Sequence, residues 1–142
     1  MVIIAAVDQS DRSATVIREA ESLAQAFDES MHIVHVVDPS ATEIRKAAEK
    51  RDPSANFKDD AADIARNLVD LVGDLEVPSE AVGLMGEPAE QIVSYATEEN
   101  SRYIVVAGQK RSPTGKAIFG STSQSIILKA DCPVVSTIEQ EQ

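Results

Sequence analysis

Five short apolar runs punctuate the chain, and most are continuous rather than alternating: VIIAAV (2–7), MHIVHVV (31–37), SEAVGLM (79–85), RYIVVAG (102–108) and PVVSTI (133–138). A strand that is apolar at nearly every position buries both faces, which happens when helices cover both sides of a parallel sheet. Segments of helical period lie between the runs. Ala14, Ile17, Ala20, Ala24 and Phe27 recur at helical spacing in 11–27, and Ala61, Ile64, Ala65, Leu68 and Val72 do so in 58–74. Segment 88–99 opens on Pro88, suited to a first helical turn, and carries Ile92, Val93 and Ala96 on one face. Segment 121–130 begins STSQ, a capping-box spelling with Ser121 as N-cap and Gln124 at N3. Ser40 and Glu43 spell a second box before a short helix over 41–50, and KRDPSANFKDD (50–60) reads as a loop. Strands alternating with helices predict an α/β layer fold with right-handed crossovers. The 142 residues suffice for one domain, expected over 1–138, with EQEQ (139–142) as a frayed tail.

The charge balance narrows the partners. Asp and Glu number 24 against 13 Lys and Arg, a net charge of −11. Phosphate-rich surfaces would repel such a chain, so no nucleic acid and no anionic membrane is expected as a partner. Strong acidity suits a protein from a halophilic source, where salt screens repulsion between like charges. Cys132 is the only cysteine, and His32 and His35 the only histidines, so neither a disulfide framework nor a transition-metal site is expected. No apolar run reaches the roughly 20 residues a bilayer requires. MVIIAAVDQS lacks the basic start of a secretion signal, so the expected location is cytoplasmic.

Parallel α/β sheets bind ligands beyond the carboxyl ends of their strands, where the strand order reverses. The loops to weigh are therefore DQSDRS, DPSATE and the stretch VVAGQKRSPTGKAIFGSTSQS (105–125). The last contains TGKA, close in spelling to a phosphate-binding P-loop. Six residues separate Gly108 from Gly115, however, and Ala117 stands where the magnesium-binding hydroxyl of that motif belongs, so it is not one. Gly120 before Ser121, Thr122 and Ser123 is a different route to the same chemistry. Glycine admits close approach, and a helix start offers free N–H groups to an anion. Lys110, Arg111 and Lys116 add three cations within seven residues. A hinged loop, a capped helix and solvated cations explain the same letters.

Four stretches carry a family resemblance: VDQSDRS after the first run, IVHVVD in the second, MGEPAEQIV after the third, and VVAG…FGSTSQSIILKADCPVV. Over nearly its whole length the chain resembles the universal stress proteins. The resemblance implies a three-layer, doubly wound, five-stranded parallel sheet of order 3-2-1-4-5, the adenine nucleotide alpha hydrolase-like fold. It also implies a stress-response protein that binds ATP or AMP, with or without magnesium, and turns it over slowly or not at all. The alternative is a nucleotide-free dimeric interaction protein. Members that bind ATP carry G-x2-G-x9-G-[S/T] after the fourth strand. Here the letters run Gly108-x2-Arg111-x8-Gly120-Ser121. Arg111 either fills the space meant for phosphate or clamps it with its guanidinium. By the same resemblance Asp8 contacts ribose or adenine, the backbone of Val36 meets adenine, and Gly108, Gly120, Ser121, Thr122 and Ser123 surround the phosphates, while Lys110 and Arg111 enter as added cations beside them. Ser121, Thr122, Ser123 and Ser125 are the implied acceptors in any autophosphorylation.

The bland readings stand beside these. Asp8, Ser10 or Asp11 can simply cap the first helix, and Asp8 with Asp38 can hold a magnesium that accompanies ATP or merely cap helices. His35 reads as packed in place. No nucleophile elbow and no spaced Ser–His–Asp set is present, so no catalytic residue is assigned. Cys132 before Pro133 reads as a small apolar residue. The fifth run lies at a sheet edge, and an apolar edge invites a second chain, so the resemblance implies a homodimer through it.

Overall fold

Ile3, Ala5 and Val7 point to one side of the first strand, and Val2 and Ile4 to the other; in the computed structural model both sets are buried. The structure describes residues 1–40, 57–111, 117–118 and 120–140. The helix expected over 41–50, most of the loop at 50–60, and Gly115 with Lys116 lie outside those residues. The described elements are β1 (Val2–Ala6), α1 (Ser13–Phe27), β2 (Ser30–Val37), α2 (Phe57–Val72), β3 (Ser79–Met85), α3 (Pro88–Glu98), β4 (Ser101–Arg111), β5 (Ala117–Ile118), α4 (Ser121–Lys129) and β6 (Val134–Gln140).

Five strands are parallel in the order β3-β2-β1-β4-β6, so the fifth apolar run is β6 and the expected order holds. Helices α1 and α2 cover one face, burying Val16, Ile17, Ala20, Ala24 and Ala65 against Ile3, Ala5, Met31, Ile33 and Val105. Helices α3 and α4 cover the other with Ala89, Ile92, Ala96 and Ile126 on Ile4, Val34, Ile104 and Val106. Three layers follow from strands that are apolar on both sides.

Several expectations needed correcting. Val16, not Ala14, shares the buried stripe of α1 with Ile17, and Phe27 is largely exposed. Residues 57–60 are the first turn of α2, not loop, with Asp59 and Asp60 suited to its positive end. Strand β4 does not stop at Gly108 but runs to Arg111, where it meets β5 as an antiparallel pair, Lys110 with Ile118 and Arg111 with Ala117. β6 extends alongside to Gln140, so the first half of the expected tail is strand.

A left-handed Asp28 (φ 54°) ends α1, and the Glu29 amide returns to the Ala24 carbonyl at 2.9 Å. That turn sets Glu29 against Arg102, whose Nε lies 3.0 Å from both carboxylate oxygens while its guanidinium stacks over Phe27. The Arg102 hydrogen bonds hold the Glu29 carboxyl below its ordinary pKa. A carboxylate depressed by folding adds stability that is full above its unfolded pKa and is lost as pH falls through the folded value. Glu29→Gln is therefore expected to lower Tm at pH 7, with the deficit closing in melts taken below pH 4. A deficit that persists in acid would mean that packing, not charge, makes this contact.

Candidate functional site

β1 is short and central, and its neighbours outrun it. Its last rung to β2 is the Val7 amide on the Val34 carbonyl, 3.0 Å, while β2 continues to Val37 and β4 to Arg111. The result is a notch at the carboxyl ends of β1, β2 and β4, roofed by α3 and α4. It holds a cavity of about 150 Å³. Ala6, Val34 and Val106 form the floor, and Pro88, Ile92 and Ile126 the apolar walls. Asp8, Thr122 and Ser123 supply its polar groups. Ligand pockets usually enclose roughly 300–1,000 Å³. This one suits a flat ring, with the rest of a ligand lying out in the open mouth.

Asp8 stands at that mouth, exposed. Its Oδ1 accepts from the Ser10 amide at 2.8 Å and the Ser13 hydroxyl at 3.3 Å, and Ser13 Oγ also donates to the Asp8 carbonyl at 2.6 Å. The aspartate thus braces the turn before α1 and is not its cap; the N-cap is Arg12, without a side-chain cap bond. Burial, the largest single influence, would raise the Asp8 pKa. The Ser10 side chain and amide, the Ser13 hydroxyl and the Arg12 charge outweigh it and hold the carboxyl below its usual value. Asp8 is accordingly an ionised acceptor near neutral pH, suited to sugar hydroxyls.

Arg12 crosses the mouth and donates from Nη1 to the Gly108 carbonyl at 3.2 Å. Gly108 lies in a register shift between β4 and β6, where the Thr137 hydroxyl accepts from the Gly108 amide (3.3 Å) and donates to the Val106 carbonyl (3.4 Å). A Cβ on Gly108 would collide with Ser136 Oγ and the Thr137 carbonyl. The packing of β6 alone requires glycine there. On the next residue back, the Ala107 carbonyl accepts from Ser123 Oγ at 2.6 Å, which ties α4 to β4.

The capping box expected at Ser121 is absent. Gly120 is the N-cap (φ −66°, ψ 155°), so Ser121, Thr122 and Ser123 are the first three helical residues, and the cap residue has no side chain to bond their amides. Their amides have no helical carbonyl one turn back to bond. A Cβ on Gly120 would meet nothing within 4 Å.

Of the site residues expected from sequence, Asp8, Val36, Thr122 and Ser123 line the cavity together. Gly108, Gly120 and Ser121 adjoin it. Lys110 and Arg111 continue β4 beyond it, and their backbone pairs with β5 and β6. Asp38 is not among the residues that line the cavity with Asp8; its Oδ1 accepts from the Ser40 amide at 2.9 Å and the Ser40 hydroxyl at 2.6 Å. Among the described residues there is no cluster of three or more His, Cys, Asp or Glu that could hold a metal ion. Sequence reasoning missed Arg12 and the α3 wall of Pro88 and Ile92. The MGEPAEQIV exit was a signal for the wall; only the three-dimensional structure shows Arg12 bonding to Gly108. Burial raises the pKa of Cys132, in keeping with an unreactive thiol.

A family model described as Universal stress protein family matches residues 1–136. A universal stress protein of Thermus aquaticus is 29% identical over 139 residues, covering 94% of this chain and 95% of that protein. Among solved structures, a universal stress protein from Archaeoglobus fulgidus superposes with a TM-score of 0.63 at 31% identity, covering 95% of this chain and 96% of its own. A structure of the Archaeoglobus fulgidus protein in complex with dAMP gives 0.58 at 26% identity, covering 95% and 94%. No described helix is long and apolar enough to cross a membrane.

Proposed function

Since the chain belongs to the universal stress protein family, we propose that it binds an adenine nucleotide, ATP or AMP, in the notch above β1 as a stress-response protein of the cytoplasm, with little or no turnover. The observation that carries this reading is the order of chemistries along one cleft. An apolar slot of about 150 Å³ leads to an ionised Asp8 on one side and the glycine-capped start of α4 on the other. A base, a sugar and a phosphate make the same sequence of demands. The dAMP bound by the Archaeoglobus fulgidus relative supports the same assignment. Gly120 and Ser121 to Ser123 receive the phosphates, the Val36 backbone meets the base, and Lys110 and Arg111 contribute charge from the end of β4. The single domain runs through β6, and its edge, with Ile138 52% exposed, pairs with a second copy.

A second reading has one observation in its favour. Gly108, the first glycine of the family pattern, is occupied by β6, and Arg111 replaces the second, which suits a nucleotide-free interaction protein with a vestigial cleft.

Calorimetric titration with ATP and AMP, at low and high salt, separates the two. Saturable heat with a raised Tm is expected, and neither at millimolar nucleotide would sink the binding reading. Arg111→Ala should weaken ATP more than adenosine; equal losses would contradict a phosphate clamp.

A further inference from the structure

We propose that Arg12 binds the phosphate nearest the sugar of the nucleotide, its guanidinium donating to that phosphate beyond the end of β1; this rests on the nucleotide reading above. The reason starts with a residue at odds with its position. Arg12 is the N-cap of α1, and its side chain makes no cap bond. Asp, Asn, Ser or Thr would stabilise that position by accepting from the first amides. Arginine has no acceptor to offer, and its charge opposes the positive end of the helix. A break in local rules at the mouth of a cleft is where function is to be sought.

The side chain leaves α1 for β4. Nη1 donates to the Gly108 carbonyl at 3.2 Å, and Ser123 Oγ donates to the carbonyl of the residue before, Ala107, at 2.6 Å. Helices α1 and α4 cover opposite faces of the sheet. Arg12 and the first turn of α4 nevertheless meet on consecutive residues of β4, whose Cα atoms are about 3.8 Å apart. The Arg12 charge also acts on Asp8, which lines the cavity. The guanidinium thus stands beside the acceptor assigned to the sugar and close to the amides assigned to the phosphate. Among the described residues no carboxylate forms an ion pair with it, and its hydrogen bond goes to a neutral carbonyl. Most of its fork of donors is left for an anion. AMP and ATP share the phosphate it would hold, and adenosine lacks it.

The test is titration of wild type and Arg12→Gln with adenosine, AMP and ATP, with folding checked by circular dichroism. Glutamine keeps an N–H donor for Gly108 and removes the charge. It should bind adenosine as wild type does, and AMP and ATP about tenfold less tightly or worse. On wild type, AMP should protect Arg12 from modification by phenylglyoxal, read by peptide mass, and adenosine should not. That measurement needs no variant and decides the matter if Arg12→Gln fails to fold; equal modification with and without AMP would overturn the proposal. Equal losses of adenosine and AMP in a folded Arg12→Gln would make Arg12 a brace of the mouth and overturn it. Undiminished AMP affinity would overturn it too and leave the phosphate to α4. Wild type that binds adenosine as tightly as AMP would overturn it while leaving the base and sugar sites intact. Wild type that binds none of the three would overturn the nucleotide reading as well.

Discussion

Gly83→Ala is expected to cost about 3 kcal/mol or more of stability, among the largest effects of any single methyl group in this protein. Gly83 lies in the middle of β3, paired with His35, and α2 packs directly on it. A Cβ there would fall onto the Lys58 carbonyl oxygen and the Ala62 amide nitrogen, and 3.0 Å from the Ala61 carbonyl carbon. A side chain could rotate away; a helix backbone has to move as a whole, and Ala61 and Ala65 would lift from the core with it. Gly108→Ala should come second, since it meets the movable Ser136 side chain as well as the fixed Thr137 carbonyl. Gly120→Ala meets open space and should cost at most about 1 kcal/mol, the difference between two N-cap residues. Urea midpoints should fall in that order with unchanged slopes. A Gly83→Ala protein as stable as wild type would mean that α2 does not ride on β3 so closely.

That glycine also marks where sequence stops being legible. SEAVGLM was readable as a strand at 79–85 because its apolar pattern is local, and β3 has those bounds. The reason for the glycine is a helix more than twenty residues earlier, which no local pattern encodes. The same contrast runs through the site. Asp8, Val36 and the Gly120–Ser123 turn could be named because strand ends and helix starts leave spellings. Gly108 could be named as well, but its tight neighbour is β6, and only the register shift in the β4–β6 pairing reveals that. His35 was read as a packed residue. It is one, and what holds it is the Val7 carbonyl just past the early end of β1, on the side of the sheet that α2 covers. A sequence shows how long a strand can be, not which neighbour will outlast it. The capping box failed by one residue for a related reason. Serine, threonine and glycine all serve as N-caps, and the tie of Ser123 to Ala107 is a long-range bond that helps fix which of them does.

The second large effect turns on that one-residue shift, because it makes the cap of α4 a glycine, with no side chain to bond the helix's first amides. Thr122→Asp is expected to move stability and phosphate affinity in opposite directions. Thr122 is the second residue of α4, exposed, at the lip of the cavity. A carboxylate in the first turn complements the helix dipole, a gain of about 0.3–1 kcal/mol, so Tm should hold or rise. The same charge would stand where the nucleotide's phosphate is proposed to sit, in a chain already at −11. Two like charges about 4 Å apart repel by roughly 4 kcal/mol at a protein surface before salt screens them. AMP affinity should therefore drop tenfold or more, ATP affinity further, and adenosine affinity hardly at all, with the gap narrowing at high salt. Melting curves and titrations with adenosine, AMP and ATP on the one variant read all of this. Equal losses for adenosine and AMP would show a distorted cleft rather than a repelled phosphate. Undiminished AMP binding would put the phosphate somewhere other than the start of α4.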